Sequence, residues 1–287
     1  MPTDAAGARA FVMGCSRSGT TVIQYHLARH PLVYTLPETD FFGRLLGSQF
    51  WRLVGYYGRV RGRCSRRAFQ KLAQAAEDER VTGPEGVFPR TAECVNAFIA
   101  CLDRQAAERG RPVWLEKTPK HYRYADAIAR YVPAARLVHV IRDGRDTVAS
   151  IRDRAARFPD EFGHQHDPAY GVRLWNRAVR QALRRASSGR DLVIHYETFA
   201  TQPGAVLERL CTFLGLGFDE RMLDQVLESD VYASSEEPWK DGVATSVRAA
   251  SSKFGSVFTS GERAWIERRL DWRAYRALCR MTGYPEQ

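Results

Sequence analysis

Two stretches of this 287-residue chain carry side chains suited to holding anions. The first, Gly14-Cys15-Ser16-Arg17-Ser18-Gly19-Thr20-Thr21, has the G-x-x-x-x-G spacing of a nucleotide phosphate loop. Its glycines let the backbone curl so that successive N–H groups and the start of a helix point at one anion. Thr20 stands where a nucleoside triphosphatase carries the lysine that reaches the β- and γ-phosphates, which disfavours γ-phosphate chemistry. Arg17 can restore the positive charge, and Ser18, Thr20 and Thr21 add hydroxyls suited to a less charged group such as a sulfonate. The second stretch, His139 to Ser150 (HVIRDGRDTVAS), sets Arg142 before a turn and Ser150 after it. The arginine fork and the serine hydroxyl can hold a second phosphate apart from the first. Asp143, Gly144 and Asp146 suit the turn and a helix N-cap, and a structural ion-pair turn is the other use of the same residues.

The elements that must position these groups are legible as changes of period. Phe11 to Met13 reads as a buried strand, and the loop after it opens a helix from Thr20 to His30 that Pro31 stops. Leu32 to Leu36 predicts a second strand, ending in Pro37-Glu38-Thr39-Asp40. Val113 to Leu115, Arg136 to Ile141 and Leu192 to Tyr196 predict three more, the last preceding a helix from Pro203 to Leu214. Residues 41–109 are mainly helical, with a break at Thr82 to Gly86, and read as an insertion that shapes an acceptor site. Gly261 to Met281 predicts one amphipathic helix. Strands alternating with helices predict a single α/β domain over 1–287, a P-loop-like parallel sheet with helices on both faces, binding ligands beyond the carboxyl ends of its strands.

With both motifs in place, the chain resembles the sulfotransferase family that uses 3′-phosphoadenosine-5′-phosphosulfate (PAPS). The resemblance implies that Arg17, Ser18, Gly19, Thr20 and Thr21 hold the 5′-phosphosulfate, and that Arg142 and Ser150 hold the 3′-phosphate. Tyr196-Glu197-Thr198-Phe199 and Phe213-Leu214-Gly215-Leu216 resemble further family segments, so the likeness covers most of the chain outside the insertion and the tail. Pro37-Glu38-Thr39-Asp40-Phe41-Phe42 is similar to the branch containing bacterial and tyrosylprotein sulfotransferases, which implies Glu38 as general base. Lys117, in LEKTPKH, resembles the lysine that stabilises the leaving group; Glu116 and His121 are rival bases. Tyr196 is assigned to the adenine region, and Trp239-Lys240 to a late loop over the nucleotide, the indole stacking on adenine and the ammonium reaching phosphate. The competing classes are an ATP-dependent P-loop phosphotransferase and a non-catalytic nucleotide or nucleic-acid binding protein.

A formal net charge of +10 favours anionic partners. Only five of the 43 basic residues are lysines, a skew in keeping with arginine-rich codon usage. The stretch Arg59 to Arg67 (RVRGRCSRR) reads as a solvated face or an anionic substrate entrance rather than a nucleic-acid site. No apolar run approaches the roughly 18 residues of a membrane span, and a cytoplasmic location is expected. Six scattered cysteines without a C-x-x-C pair predict reduced thiols, and no metal site is predicted. The expected acceptor is a hydroxyl-bearing small molecule or natural product, apolar or anionic, with Phe41, Phe42, Trp51, Tyr56 and Tyr57 as candidate pocket residues.

Overall fold

Alternation within single strands builds the molecule in layers. In β1 (Arg9–Gly14), Phe11 and Met13 face one side while Ala10 and Val12 face the other, and all four are fully buried. The computed structural model of the chain describes residues 7–47, 49–132, 134–224 and 253–285. β1 pairs in parallel with β3 (Val113–Lys117) and β4 (Ala135–Ile141), β2 (Val33–Thr35) lies outside β3, and β5 (Asp191–His195) lies outside β4. The order β2-β3-β1-β4-β5 makes a five-stranded parallel sheet. The chain moves to one side of β1 for β2 and β3, then crosses to the other for β4 and β5, so a topological switch point lies at β1, directly below the phosphate loop.

Helix α1 (Thr20–Ala28) joins β1 to β2. Between β2 and β3 lie α2 (Phe41–Leu46), α3 (Gln49–Tyr56), α4 (Gly62–Ala76) and α5 (Thr91–Glu108). A 3-10 turn at Pro119–Tyr124 and α6 (Ala125–Tyr131) lead into β4, and α7 (Gly144–Arg157), α8 (Pro159–Phe162) and α9 (Pro168–Arg185) lead into β5. Next come α10 (Tyr196–Thr201) and α11 (Pro203–Leu214), and after 225–252 the described chain closes with α12 (Phe254–Val257), α13 (Ser260–Arg269) and α14 (Trp272–Thr282). On one face of the sheet, Phe11, Trp114 and Leu137 pack against Phe41, Phe42, Phe98, Ile128, Val148 and Trp175. On the other, Val12, Leu115, Val140 and Ile194 pack against Ile23 and Leu27 of α1 and Leu207 and Leu210 of α11. Among the described residues no helix is long and apolar enough to cross a membrane.

Two expectations change. Phe41 and Phe42 are fully buried, Phe41 stacked on Phe98 at 4.2 Å and Phe42 edge-on to Phe11 at 6.0 Å, so they are core residues with no surface for an acceptor. The tail is two helices rather than one. The chain turns extended at Leu270, and the Asp271 carboxylate caps α14 by accepting from the Ala274 N–H at 3.0 Å. A capping box between Thr259 and Glu262 starts α13.

Candidate active site

Each of the five strands delivers a motif at its carboxyl end: the 14–21 loop after β1, Glu38 after β2, Lys117 at the end of β3, Arg142 after β4 and Tyr196 after β5. The 14–21 loop is curled from within. The Ser18 N–H and hydroxyl both donate to the Cys15 carbonyl, at 3.1 and 2.7 Å, and the side chain is buried. Arg17 and Gly19 both take left-handed backbone, φ 73° and 96°, which for the arginine costs about 1 kcal/mol. Gly19 is required twice over, because a Cβ there would lie 2.3 Å from the Tyr196 ring. Cys15 has its thiol pushed up to about 12 by burial, so it stays protonated within this loop.

The two anion motifs meet. Arg17 Nε donates to Ser150 Oγ at 3.1 Å, joining the loop to the second turn of α7. Arg142 lies with its guanidinium carbon 4.7 Å from the centre of the Tyr196 ring, and its Nη2 is 3.4 Å from Asp146. Trp175 Nε1 holds the Arg142 carbonyl at 2.8 Å, and Glu197 accepts from the Asp143 N–H at 2.8 Å, so the turn is fixed from behind. Asp143 is the N-cap of α7, accepting from the N–H groups of Arg145 and Asp146. Burial, together with the charges of Arg154, Arg157 and Arg142, pushes the Arg17 guanidinium down to about 10 against the opposing pull of Asp153. Arg17, Arg142 and Arg154 therefore share a site where Arg142 Nε and Arg154 Nε are buried with no hydrogen-bond partner among the described residues, while Arg157 is exposed and ion-paired with Asp153 at 3.2 Å.

Arg154 escaped the sequence reading. It lies one helical turn beyond Ser150 on α7, is buried, and reaches Gln165 Oε1 at 2.6 Å with its guanidinium carbon 4.1 Å from the Phe162 ring. The i, i+4 relation to Ser150 was the available signal, hidden by the abundance of arginine. Trp239 and Lys240 lie outside the described residues.

The reactive pair stands at the ends of β2 and β3. Lys117 Nζ donates to Glu38 Oε1 at 2.5 Å and to Thr21 Oγ1 at 3.3 Å. The lysine side chain is 1% exposed and the glutamate 26%, so the carboxylate is the member open to an incoming molecule. Gln24 of α1 holds the end of β2, donating to Thr35 Oγ1 at 2.9 Å and the Leu36 carbonyl at 3.0 Å. Glu116, one residue before Lys117 and therefore on the opposite face of the strand, is fully buried. One of its oxygens accepts from the hydroxyls of Thr39 and Thr118, both at 2.7 Å, and the other lies 2.9 Å from His121 Nδ1. Burial alone would raise the Glu116 carboxyl; the His121 charge beside it and the hydrogen bonds from Thr118 and Thr39 outweigh it and hold it below its ordinary value. Burial would likewise lower His121, and the Glu116 charge reverses this. This buried pair fixes the segment that carries Glu38: Thr39 binds Glu116, and the Asp40 N–H donates to Thr118 Oγ1 at 3.1 Å.

Residues 9–220 match the model of a family described as the sulfotransferase family. The chain belongs to this family. Among curated relatives, protein-tyrosine sulfotransferase A of Caenorhabditis elegans is 26% identical over 242 residues, covering 83% of this chain and 58% of the relative. Protein-tyrosine sulfotransferase 1 of Danio rerio is 25% identical over 219 residues, covering 74% of this chain and 54% of the relative. The chain thus spans about half the length of these curated relatives. Among solved structures, the sulfotransferase domain from the Synechococcus PCC 7002 olefin synthase aligns over 100% of this chain and 98% of its own, with TM-score 0.61 and 18% identity. The sulfotransferase domain from the curacin biosynthetic pathway aligns over 98% and 99%, with TM-score 0.62 and 14% identity. Mouse sulfotransferase SULT7A1, complexed with PAP, aligns over 91% and 82%, with TM-score 0.52 and 11% identity. These structures share the fold.

Proposed function

We propose that this member of the sulfotransferase family transfers the sulfuryl group of PAPS to the hydroxyl of a small-molecule acceptor. The observation that carries the reading is the gathering of the arginines Arg17, Arg142 and Arg154 beside a phosphate loop that lacks the Walker lysine, with Arg17 bonded to Ser150 and the Nε atoms of Arg142 and Arg154 buried without a partner among the described residues. Mutually repelling guanidinium groups, two with buried unpaired Nε atoms, are relieved by a ligand with a phosphate at each end. In this reading Arg17, Thr20, Thr21 and the loop N–H groups hold the 5′-phosphosulfate, Ser18 and Gly19 shape the loop, and Arg142 and Ser150 hold the 3′-phosphate, with Arg154 beside them. Tyr196 packs against both Gly19 and Arg142 and so borders the adenosine between the two ends. Bound there, PAPS supplies an activated sulfuryl group.

Glu38 is the base. It accepts the proton of the acceptor hydroxyl as that oxygen attacks, and its competitors Glu116 and His121 are buried against each other. Lys117 Nζ, between Glu38 and Thr21, neutralises the charge that grows on the departing phosphate oxygen. Residues 41–109, with the two core phenylalanines set aside, wall the acceptor side within the same domain. The cytoplasmic setting expected from the sequence accords with six free thiols.

Labelled PAPS incubated with the protein and fractionated small-molecule extract tests the proposal, with sulfated products identified by mass. Transfer to a hydroxyl compound, lost in Glu38→Gln, is expected. PAPS left intact across the extract, with magnesium-dependent consumption of ATP in its place, would move the chain to the phosphotransferase class.

A further inference from the structure

A second basic surface lies in the insertion, and its arginines are unlike those of the active site. Of the nine large hydrophobic side chains exposed among the described residues, five belong to one patch: Phe50, Leu53, Tyr57, Val87 and Phe88. Scattered single apolar residues are ordinary on a surface, but such a concentration marks an interaction face. Phe50, Leu53 and Tyr57 follow the i, i+3, i+7 spacing of one helical stripe running off α3. The opposite side of α3 is already docked: Tyr131 Oη donates to the Tyr56 carbonyl at 2.8 Å, and Leu46 packs against Gly55. The loop carrying Val87 and Phe88 joins the stripe. Gly62 N–H donates to the Val87 carbonyl at 2.8 Å, Arg59 to the Phe88 carbonyl at 2.8 Å, and the Trp51 and Phe88 rings stack at 6.4 Å.

The charge around this patch is mainly positive, with Glu85 as the acidic residue of the loop that carries Val87 and Phe88. Between Asp40 and Glu77 there are eight cations and no carboxylate. Arg61 lies 4.4 Å over the Trp51 ring, and none of Arg59, Arg61, Arg63, Arg66 and Arg67 has an ion-pair partner among the described residues. Arg63, Arg66 and Arg67 occupy the first two turns of α4, whose first turn holds no acidic residue. Cations at that end oppose the helix dipole, by about 0.3–1 kcal/mol each when adjacent to it. An external anionic surface would relieve this repulsion at the start of α4.

We infer that the Phe50/Leu53/Tyr57/Val87/Phe88 face, ringed by the arginines of 59–67, docks on an anionic lipid bilayer, its apolar side chains entering the headgroup boundary. Aromatic and aliphatic side chains projecting beside arginines are what such an interface selects. Nucleic acid would use the arginines and could stack on Trp51, but would leave Leu53 and Val87 in water. A symmetric contact with a second copy would bring the unpaired arginines against each other.

Cosedimentation with vesicles, without nucleotide, reads this contact independently of sulfuryl transfer. Vesicles of phosphatidylcholine with about one-third phosphatidylglycerol should bind the protein at least ~10-fold more tightly than phosphatidylcholine alone, and ~0.5 M salt should weaken the binding. The variant Leu53→Ser/Val87→Ser/Phe88→Ser should lose at least ~10-fold in vesicle affinity. Arg63→Glu/Arg66→Glu/Arg67→Glu should lose as much while keeping or raising the melting temperature, since the new carboxylates suit the start of α4. Wild-type protein that stays in the supernatant, or binds both vesicle types equally, would overturn the inference. So would retention of binding by both variants, or wild-type self-association that the Leu53 variant abolishes.

Discussion

The strand-end cradle and the α3/α4 face are both rich in arginine, yet they hold it in opposite ways. In the cradle, Arg17 is fixed by Ser150, the Arg142 carbonyl by Trp175, and Arg154 by Gln165 and Phe162, on elements anchored to the sheet. Between α3 and α4, Arg61 lies over the Trp51 ring and Arg59 bonds the Phe88 carbonyl, with no carboxylate partner for either among the described residues, and Arg63, Arg66 and Arg67 stand exposed on α4. A preorganised, partly desolvated cluster suits a small ligand with fixed phosphates, because the cost of crowding the charges is borne in folding and released on binding. Solvated arginines beside projecting apolar side chains suit a broad surface, where each charge contributes little and no one geometry is required.

Variants separate the two regions. The largest effect is expected for Glu38→Gln, which should lower transfer by about three orders of magnitude while PAP affinity is retained, a split checked by kinetics beside calorimetry. Next, Glu116→Gln should reduce stability by about 3–5 kcal/mol in denaturant titration, since it leaves His121 buried without its counter-charge. The pH dependence should follow from the same pair. The Glu116 contribution is present above the ordinary carboxyl value of 4.5 and lost as pH falls through its depressed folded value. The His121 contribution is complete below 6.5 and lost as pH rises through its raised folded value. The variant's deficit should therefore be greatest between these values and shrink on either side.

Arg142→Ala should weaken PAP by about 100-fold, through the loss of charge-assisted hydrogen bonds to phosphate, whereas Arg67→Glu should leave PAP affinity within about 2-fold. If the two variants weakened PAP equally, the division between the regions would fail. Asp271→Ala, remote from both, should cost about 1 kcal/mol through the lost cap of α14, read as a small fall in denaturation midpoint.

The sheet was legible because buried parallel strands announce themselves as short β-branched runs: Arg136 to Ile141 was placed within one residue of β4, and the helix from Pro203 to Leu214 at its observed ends. The motifs were legible because phosphate loops and strand-end arginines keep fixed spacings. Position relative to other elements was not. That Phe41 and Phe42 turn inward depends on Phe11 and Phe98, which lie far away in the chain, and that Arg154 joins the cradle depends on the packing of α7. The break at Leu270 was hidden because Asp271 reads as an ordinary polar position of a helix until its cap is seen.

The central claim is that the crowded arginines and the lysine-free loop form one site for a nucleotide with separate 3′ and 5′ anions. Calorimetry with PAP and with ATP, each with and without magnesium, tests it most directly. The account predicts micromolar PAP binding that does not need magnesium and is weakened about 100-fold by Arg142→Ala, with ATP binding much weaker. Magnesium-dependent ATP binding with none to PAP would contradict it.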